Sequence, residues 1–564
     1  MEFILINIFY YLIIFSTIGY GYFFVINFLK FNTELKAINV DVGFIGLSGL
    51  FCLILISYFS NLFLPHGKIF NTILLLFGLF FFIFFFKKIF YKKSIFLHLI
   101  LIFFILSIAI FVFKNHDDFP YYHFPSAYHF TQNKIIFGMG NLGHGWRTPS
   151  SLFYLHSLFY LPFIEYYLFH IGPILILGFS NIIILKKIFF FDKKKKFDFI
   201  YYLNLLIFIF INVVFCRLSE HGADLSGQIL SFLLLIKIFE IVNSSENIKK
   251  NKSENLQEIL LLLLIIITFK TFFILYSVFF LYLFLIFFRQ AFFWNVIFDW
   301  KIITISLLTI SFLIISNLSS SGCFIYPIDF LCIETLSWAL KKNEVISANL
   351  WYEVWSKAGA APNYRAPDPD IYIQGINWIS NWIKIYFFNK VSDTLLGIFS
   401  IGIIFYAAFF NLKRNSINKP NYKFIYLIII ILFLEWFFKH PALRYGGYNL
   451  LVLIIFIPLS VYMQNFNNNY LSKSKIIMYL ILVTCLIFYG RNIKRIHFEI
   501  TKYGYSPLVK PYFSIDENYF RFDKQAKALV LNYNNCNEKI NSNCLIMSPK
   551  VKDFNGYKFF YKDK

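Results

Sequence analysis

Residues 116–151, HDDFPYYHFPSAYHFTQNKIIFGMGNLGHGWRTPSS, are the first long polar interruption in a chain that is otherwise nearly continuous apolar sequence. The stretch gathers His116, Asp117, Asp118, His123, His129, His144 and Arg147, with Gly138, Gly140, Gly143 and Gly145 permitting tight turns. Ionisable groups at a membrane boundary are costly to desolvate, so such a cluster marks a candidate functional site. A solvated loop with a few helix caps is the plainer reading, but it does not account for that density of histidine, acid and arginine.

The surrounding composition says what kind of boundary this is. Of 564 residues, 59% are hydrophobic and only 15% charged, with a mean hydropathy of +0.64. Soluble domains are nearer to about 45–50% apolar and about 25% charged. The chain reads as an all-α polytopic membrane protein. Its net charge of +22 would suggest nucleic acid in a soluble protein. Here the lysine runs fall between apolar segments and are better explained as anchors facing anionic lipid, so no nucleic-acid partner is expected. The opening MEFILINIFYYLIIF lacks a basic leader and a small-residue cleavage site, and it reads as a first membrane helix. Cys323 and Cys332 share one loop and Cys536 and Cys544 the tail. In an oxidising compartment each pair could close a local disulfide.

A membrane helix needs about 20 apolar residues. That rule predicts spans near 3–29, 41–63, 69–86, 94–113, 162–185, 198–216, 223–242, a hairpin near 257–288, then 300–318, 393–411, 424–439, 447–464 and 475–490, about fourteen crossings in all. The lysine-rich segments 87–93, 186–196, 249–252 and 413–423 should be cytoplasmic. This places 115–151, 217–222, the hairpin tip near Lys270, 319–392, 440–446 and 491–564 together on the other side. The expected organisation is N-terminal helices 1–114, an acidic and histidine-rich loop 115–161, helices 162–318, a large external loop 319–392, helices 393–490 and a small C-terminal extramembrane domain 491–564. Within the first loop, 150–161 should lie as an interfacial helix. The five Trp residues of 319–392 suit the headgroup level.

Five short sites then share one face. Asp117 and Asp118, followed by Tyr122 and His123, offer a carboxylate that could act as general base or ligate a divalent cation. Pro120 and Pro125 stiffen that loop. The segment Arg217 to Asp224 includes Glu220 and His221 and leads into a span. Its acids suit a helix N-terminus, which also attracts phosphate. Lys270 is the only charge in the 30 apolar residues 259–288 and could snorkel or bind a phosphate. Arg444-Tyr445-Gly446-Gly447 is a turn suited to bidentate phosphate contact, and the positive-inside tendency does not explain its arginine. Ser320 to Tyr326-Pro327, continuing to Arg365 and Asp368, could form a lid or acceptor platform.

An acidic loop after an early span, then Tyr122-His123-Phe124-Pro125, resembles the multi-span glycosyltransferases of the GT-C fold, which use polyprenyl-phosphate-linked sugars. More narrowly it is similar to a bacterial inner-membrane group whose first loop carries Asp, then Tyr-His-Leu-Pro, then Gly and Arg. Here Phe124 replaces the Leu, and Gly138 or Gly140 and Arg147 match the rest. Gly322, Tyr326-Pro327 and the Arg444 turn also fit. The likeness runs over scattered motifs in 115–450; the tail lies outside it, and the spans before the acidic loop exceed the usual single one. The resemblance implies a sugar donor on a polyprenyl phosphate bound from within the bilayer, an active site on the periplasmic face of the inner membrane, and Asp118 (or Asp117) as base. Its substrate contacts would come from Tyr122, Arg147, Glu220, His221, Asp224, Lys270, Tyr326, Arg444 and Tyr445. A divalent cation, Mg or Mn, could bind at Asp117 and Asp224. The rival expectations are an envelope polysaccharide polymerase or ligase, and a transporter or flippase. The last predicts charged or broken spans near the midplane, whereas these spans read as almost charge-free.

Overall fold

The structure, a computed structural model, describes residues 2–29, 41–90, 93–112, 118, 122–189, 196–218, 222–243, 249–360, 366, 368–414, 420–503 and 550–562. Among them, ten helices are long and apolar enough to cross a membrane. They comprise α1 (Glu2–Phe28), α2 (Val42–Asn61), α3 (Lys68–Ile89), α4 (Lys93–Leu106, extended to Phe111 by a tighter turn), α7 (Gly172–Phe189), α8 (Phe199–Val214, extended to Arg217), α9 (Ala223–Asn243), α13 (Trp300–Ser321), the run Ile379–Phe409 and α18 (Tyr470–Tyr503). Between α4 and α7 lie α5 (Phe124–Gln132) and α6 (Ser151–Ser157). Between α9 and α13 lie α10 (Lys249–Phe269), α11 (Val278–Phe287) and α12 (Ala291–Ile297). After α13 come α14 (Lys342–Lys357) and α15 (Pro369–Ile373). Before α18 come α16 (Lys423–Lys439) and α17 (Gly447–Met463). The chain is therefore a multi-pass all-α membrane protein. The shorter or more charged α10, α11, α16 and α17 occupy the positions of the remaining expected crossings.

Local chemistry sets the helix starts. Asp41, Asp198 and Asp299 accept backbone N–H groups of Gly43, Tyr201 and Lys301, capping α2, α8 and α13. Helix α7 begins at Gly172, ten residues after the expected start. The chain turns through 161–171 with positive φ at Phe163 and Glu165, and Pro173 sits in the first helical turn. Helices α1 and α2 meet where a Cβ on Gly21 or Gly49 would overlap the carbonyl oxygens of Ile45 or Thr17. Without a solvent-driven hydrophobic force between helices in lipid, such close backbone approach is what packs them. Helices α2, α7, α8 and α9 are the most deeply buried of the ten. Phe84, Leu307, Ile403 and Leu482 on peripheral helices are exposed, as a lipid-facing surface requires.

The two ends of the bundle differ as the charge pattern predicts. At one end of α9, Lys187 pairs with Glu240 at 3.0 Å, Lys186 with Asp41 at 3.4 Å, and Asn243 meets Asn421 of the lysine-rich segment 413–423. The opposite end, about 30 Å away along α9, receives Asp118, residues 122–157, the tip at Lys270, α14 and the turn at 440–446.

Several expectations need correction. Helix α6 is not interfacial: all its residues are buried. Its polar groups are met inside, Ser151 by Thr268 at 2.8 Å and Ser157 by His66 at 2.6 Å. Trp378 and Trp382 are likewise buried, their indole N–H groups bonded to the carbonyls of Gly375 and Pro441. The span expected at 393 starts at Ile379, and α18 runs on to Tyr503. Lys237 is buried against Glu240 and Glu258 in the last two turns of α9, at the lysine-rich end and away from the middle of the span. Cys323 and Cys332 are disulfide-bonded; Cys536 and Cys544 lie outside the described residues. From the tail, β1 (Lys550–Phe554) and β2 (Tyr557–Tyr561) form a hairpin.

Candidate functional site

The site is built around a turn. Between α16 and α17 the chain passes through Pro441–Gly446, and Gly446 takes φ 94°, a left-handed conformation that glycine adopts without strain. Gln228, one turn after Asp224 on α9, donates to the carbonyls of Leu443 (3.4 Å) and Arg444 (3.3 Å) and accepts from the Asn449 N–H. Tyr386 accepts from the Leu443 N–H, and Trp436 donates to the Ala442 carbonyl. These bonds leave the Arg444 side chain one direction to take.

Its guanidinium bridges two carboxylates. Nε donates to Asp224 Oδ2 and Nη2 to Asp118 Oδ2, both at 2.8 Å. Lys270 Nζ stands 2.6 Å from Asp224 Oδ1, a charge contact off hydrogen-bond alignment. Lys270 reaches it because its extended backbone (φ −155°, ψ 147°) ends α10 and turns the chain into the short helix Thr271–Ser277. The four groups sum to zero charge. They are unequally sheltered: the Asp224 side chain is 2% exposed and Lys270 13%, against 21% for Arg444 and 24% for Asp118. The cluster therefore opens to its surroundings on the Asp118–Arg444 side. Burial works against the charge on Arg444, but Asp224 and Asp118 more than offset it and hold its pKa well above the usual value.

Aromatic rings wall the opening. The guanidinium lies 6.0 Å from the Trp355 ring and 5.9 Å from Tyr445, within cation–π range. Trp351 stacks on Trp355, and Phe272 meets Tyr445 edge-on. Tyr122 and His123, just before α5, close the inner side. Burial, then the charge of Asp118, pushes the Tyr122 phenol up. Burial pulls His123 down to about 3, against the raising influence of Asp118. His123 is a neutral ring packed on Phe153.

Two sequence-predicted residues stand apart. Arg147 Nε donates to the Gly140 carbonyl and Nη2 to Glu344 of α14 at 3.1 Å. Tyr326, wholly buried within the disulfide loop Cys323–Cys332, lies beside that guanidinium. Tyr352 is placed between the two clusters, its phenol pushed up first by burial and influenced by both Arg147 and Arg444. Asp117, Glu220, His221 and Arg365 lie outside the described residues. No group of three or more metal-ligating side chains is found among the described residues. Asp224 meets two of the protein's own cations, and Asp117, the other expected metal ligand, lies outside the described residues.

Sequence reasoning missed Gln228, Trp355, Tyr352, Glu344 and Lys562. Gln228 carried a signal, since it falls four residues after Asp224 and so on the same helix face. Glu344 and Lys562 carried none, because only the fold brings them to Arg147.

A family model described as "Domain of unknown function (DUF8201)" matches residues 1–451. No curated protein and no solved structure matches the chain.

Proposed function

We propose that this chain, which belongs to the DUF8201 family, is a membrane glycosyltransferase of GT-C type that moves a sugar from a polyprenyl phosphate to an envelope acceptor. The observation that carries the reading is the Asp118–Arg444–Asp224–Lys270 cluster. A carboxylate open to its surroundings there touches an arginine, with a lysine in the same cluster and an aromatic wall beside it.

The reaction is a single displacement at the anomeric carbon. The acceptor hydroxyl oxygen attacks that carbon and its proton passes to Asp118. The bond from the anomeric carbon to the phosphate oxygen breaks, and the electron pair leaves on the polyprenyl phosphate. Arg444 and Lys270 hold the departing phosphate, whose oxygens replace carboxylate contacts in the resting cluster. Asp224 keeps the two cations together before the donor arrives. No step is routed through a metal. The Cys323–Cys332 bond and the gathering of the lysine-rich runs 186–196 and 413–423 at the far end support an oxidising, periplasmic placement in a bacterial inner membrane.

A direct test is sugar transfer in membranes carrying normal protein levels. Asp118→Asn should abolish it, and unchanged transfer would sink the assignment of the base. Loss with Arg444→Ala alone, and survival without Asp118, would favour a polysaccharide polymerase or ligase instead. If no lipid-phosphate sugar stabilises the purified protein, a flux assay for the transporter reading comes next.

A further inference from the structure

We infer that the C-terminal hairpin completes a second anion-binding subsite, formed by Arg147, Lys562, Tyr326 and His144, which takes a phosphate group borne by the acceptor. The inference rests on the transferase reading for the role of that ligand, but not for its chemistry.

The hairpin is firmly seated. Phe137 exchanges backbone hydrogen bonds with β2, its N–H donating to the Lys558 carbonyl at 2.9 Å and its carbonyl accepting from the Phe560 N–H at 2.8 Å. Phe559 stacks on Phe137 at 4.7 Å, and Asn141 donates to the Phe560 carbonyl. Gly138 takes φ 76°, and a Cβ there would overlap the Phe560 carbonyl oxygen. This docking carries Lys562 to Glu344, Nζ to Oε1 at 2.9 Å, while Arg147 takes Oε2 of the same carboxylate.

Two cations therefore share one anion, and the trio carries a surplus positive charge. The Arg147 side chain, 9% exposed, is met by Glu344, so the surplus charge falls on Lys562, whose side chain is 27% exposed and open to a ligand. The Tyr326 hydroxyl is buried beside Arg147 and Tyr352, and His144 Nε2 is buried without a hydrogen-bond partner. A guanidinium fork, an ammonium, a phenol O–H and an imidazole N–H together offer what a phosphate monoester needs: charge and several separate donors. His144 packs against Trp351 and Tyr352, so the subsite adjoins the Asp118 cluster through α14. An acceptor phosphate held there would leave the acceptor's hydroxyl end free to approach Asp118.

The test uses the full-length chain in nanodiscs, titrated with methyl phosphate in one arm and with phosphatidic acid incorporated in the lipid in the other. Lys562→Ala should weaken binding about tenfold, the loss of one charge-assisted contact. Glu344→Gln, which removes the competing carboxylate, should strengthen it severalfold. A merely structural clasp predicts the reverse for Glu344→Gln. Binding in either arm with this pattern supports the subsite and says whether the phosphate arrives free or on a lipid. No binding in both arms, or affinity indifferent to both substitutions, overturns it. Donor-induced stabilisation that survives such a failure leaves the transferase reading standing. Its absence beside intact Lys562-dependent binding sinks that reading alone.

Discussion

Replacing Arg444 tests the central cluster most directly. In Arg444→Met, Asp224 keeps only the Lys270 ion pair and loses its aligned hydrogen-bond donor, at 2% exposure. Breaking a buried pair from one side costs roughly 3–5 kcal/mol. The Asp118 contact is about a quarter exposed on both sides, so it contributes about 1 kcal/mol or less. The expected loss is thus about 3–4 kcal/mol, nearly all through Asp224. Asp224→Asn should cost a similar amount, because it strands two cations. The double variant should then be less destabilised than the sum by about 2–3 kcal/mol, since neither partner is left stranded by the other. Unfolding in a graded detergent titration, followed by tryptophan fluorescence, measures all three. Additivity within about 0.5 kcal/mol would show that Arg444 and Asp224 do not depend on one another, and the account of the site would fail.

Three further outcomes are expected. Asp118→Asn should cost about 1 kcal/mol or less in the same titration while lowering sugar transfer by about 10²–10⁴-fold, the usual worth of a general base; equal effects on folding and transfer would make Asp118 structural. Gly138→Val should release the C-terminal hairpin, seen as faster protease cleavage after residue 549, because a side chain cannot share the space of the Phe560 carbonyl. Burial lowers His123 to about 3 and His144, helped by Arg147, to about 4 from 6.5. Between those values and 6.5 the unfolded chain binds protons that the native rings refuse. Stability is therefore full above pH 6.5 and falls on acidification, by up to about 1.4 kcal/mol per pH unit for each ring. A melting temperature flat from pH 7 to pH 5 would contradict this, and His144→Gln should shallow the slope.

The lysine runs and the apolar stretches were enough to read the class and the two ends of the bundle. Burying twenty apolar residues and keeping Lys186, Lys187 and Lys196 in water are demands each segment meets by itself. Asp118, Asp224, Lys270 and Arg444 were legible as candidates for the same reason: each is a charge at the edge of an apolar span, and their spans predict a shared end. Their order of contact was not legible. Nothing in the sequence says that Arg444 takes two carboxylates while Lys270 takes one, or that Arg147 turns away to Glu344. Local rules also misplaced residues whose partners are distant. Helix α6 looked interfacial because Tyr154 and His156 are polar, yet Ser151 is satisfied by Thr268 of α10 and Ser157 by His66 of the α2–α3 connection. Lys562 is the extreme case, since its only route to the site is a hairpin seated on Phe137 and Asn141. The sequence by itself determined what must be buried in lipid and what must stay at its edges, because transfer free energy acts residue by residue. Which charges meet was decided only by tertiary structure, because pairing depends on distances between segments hundreds of residues apart.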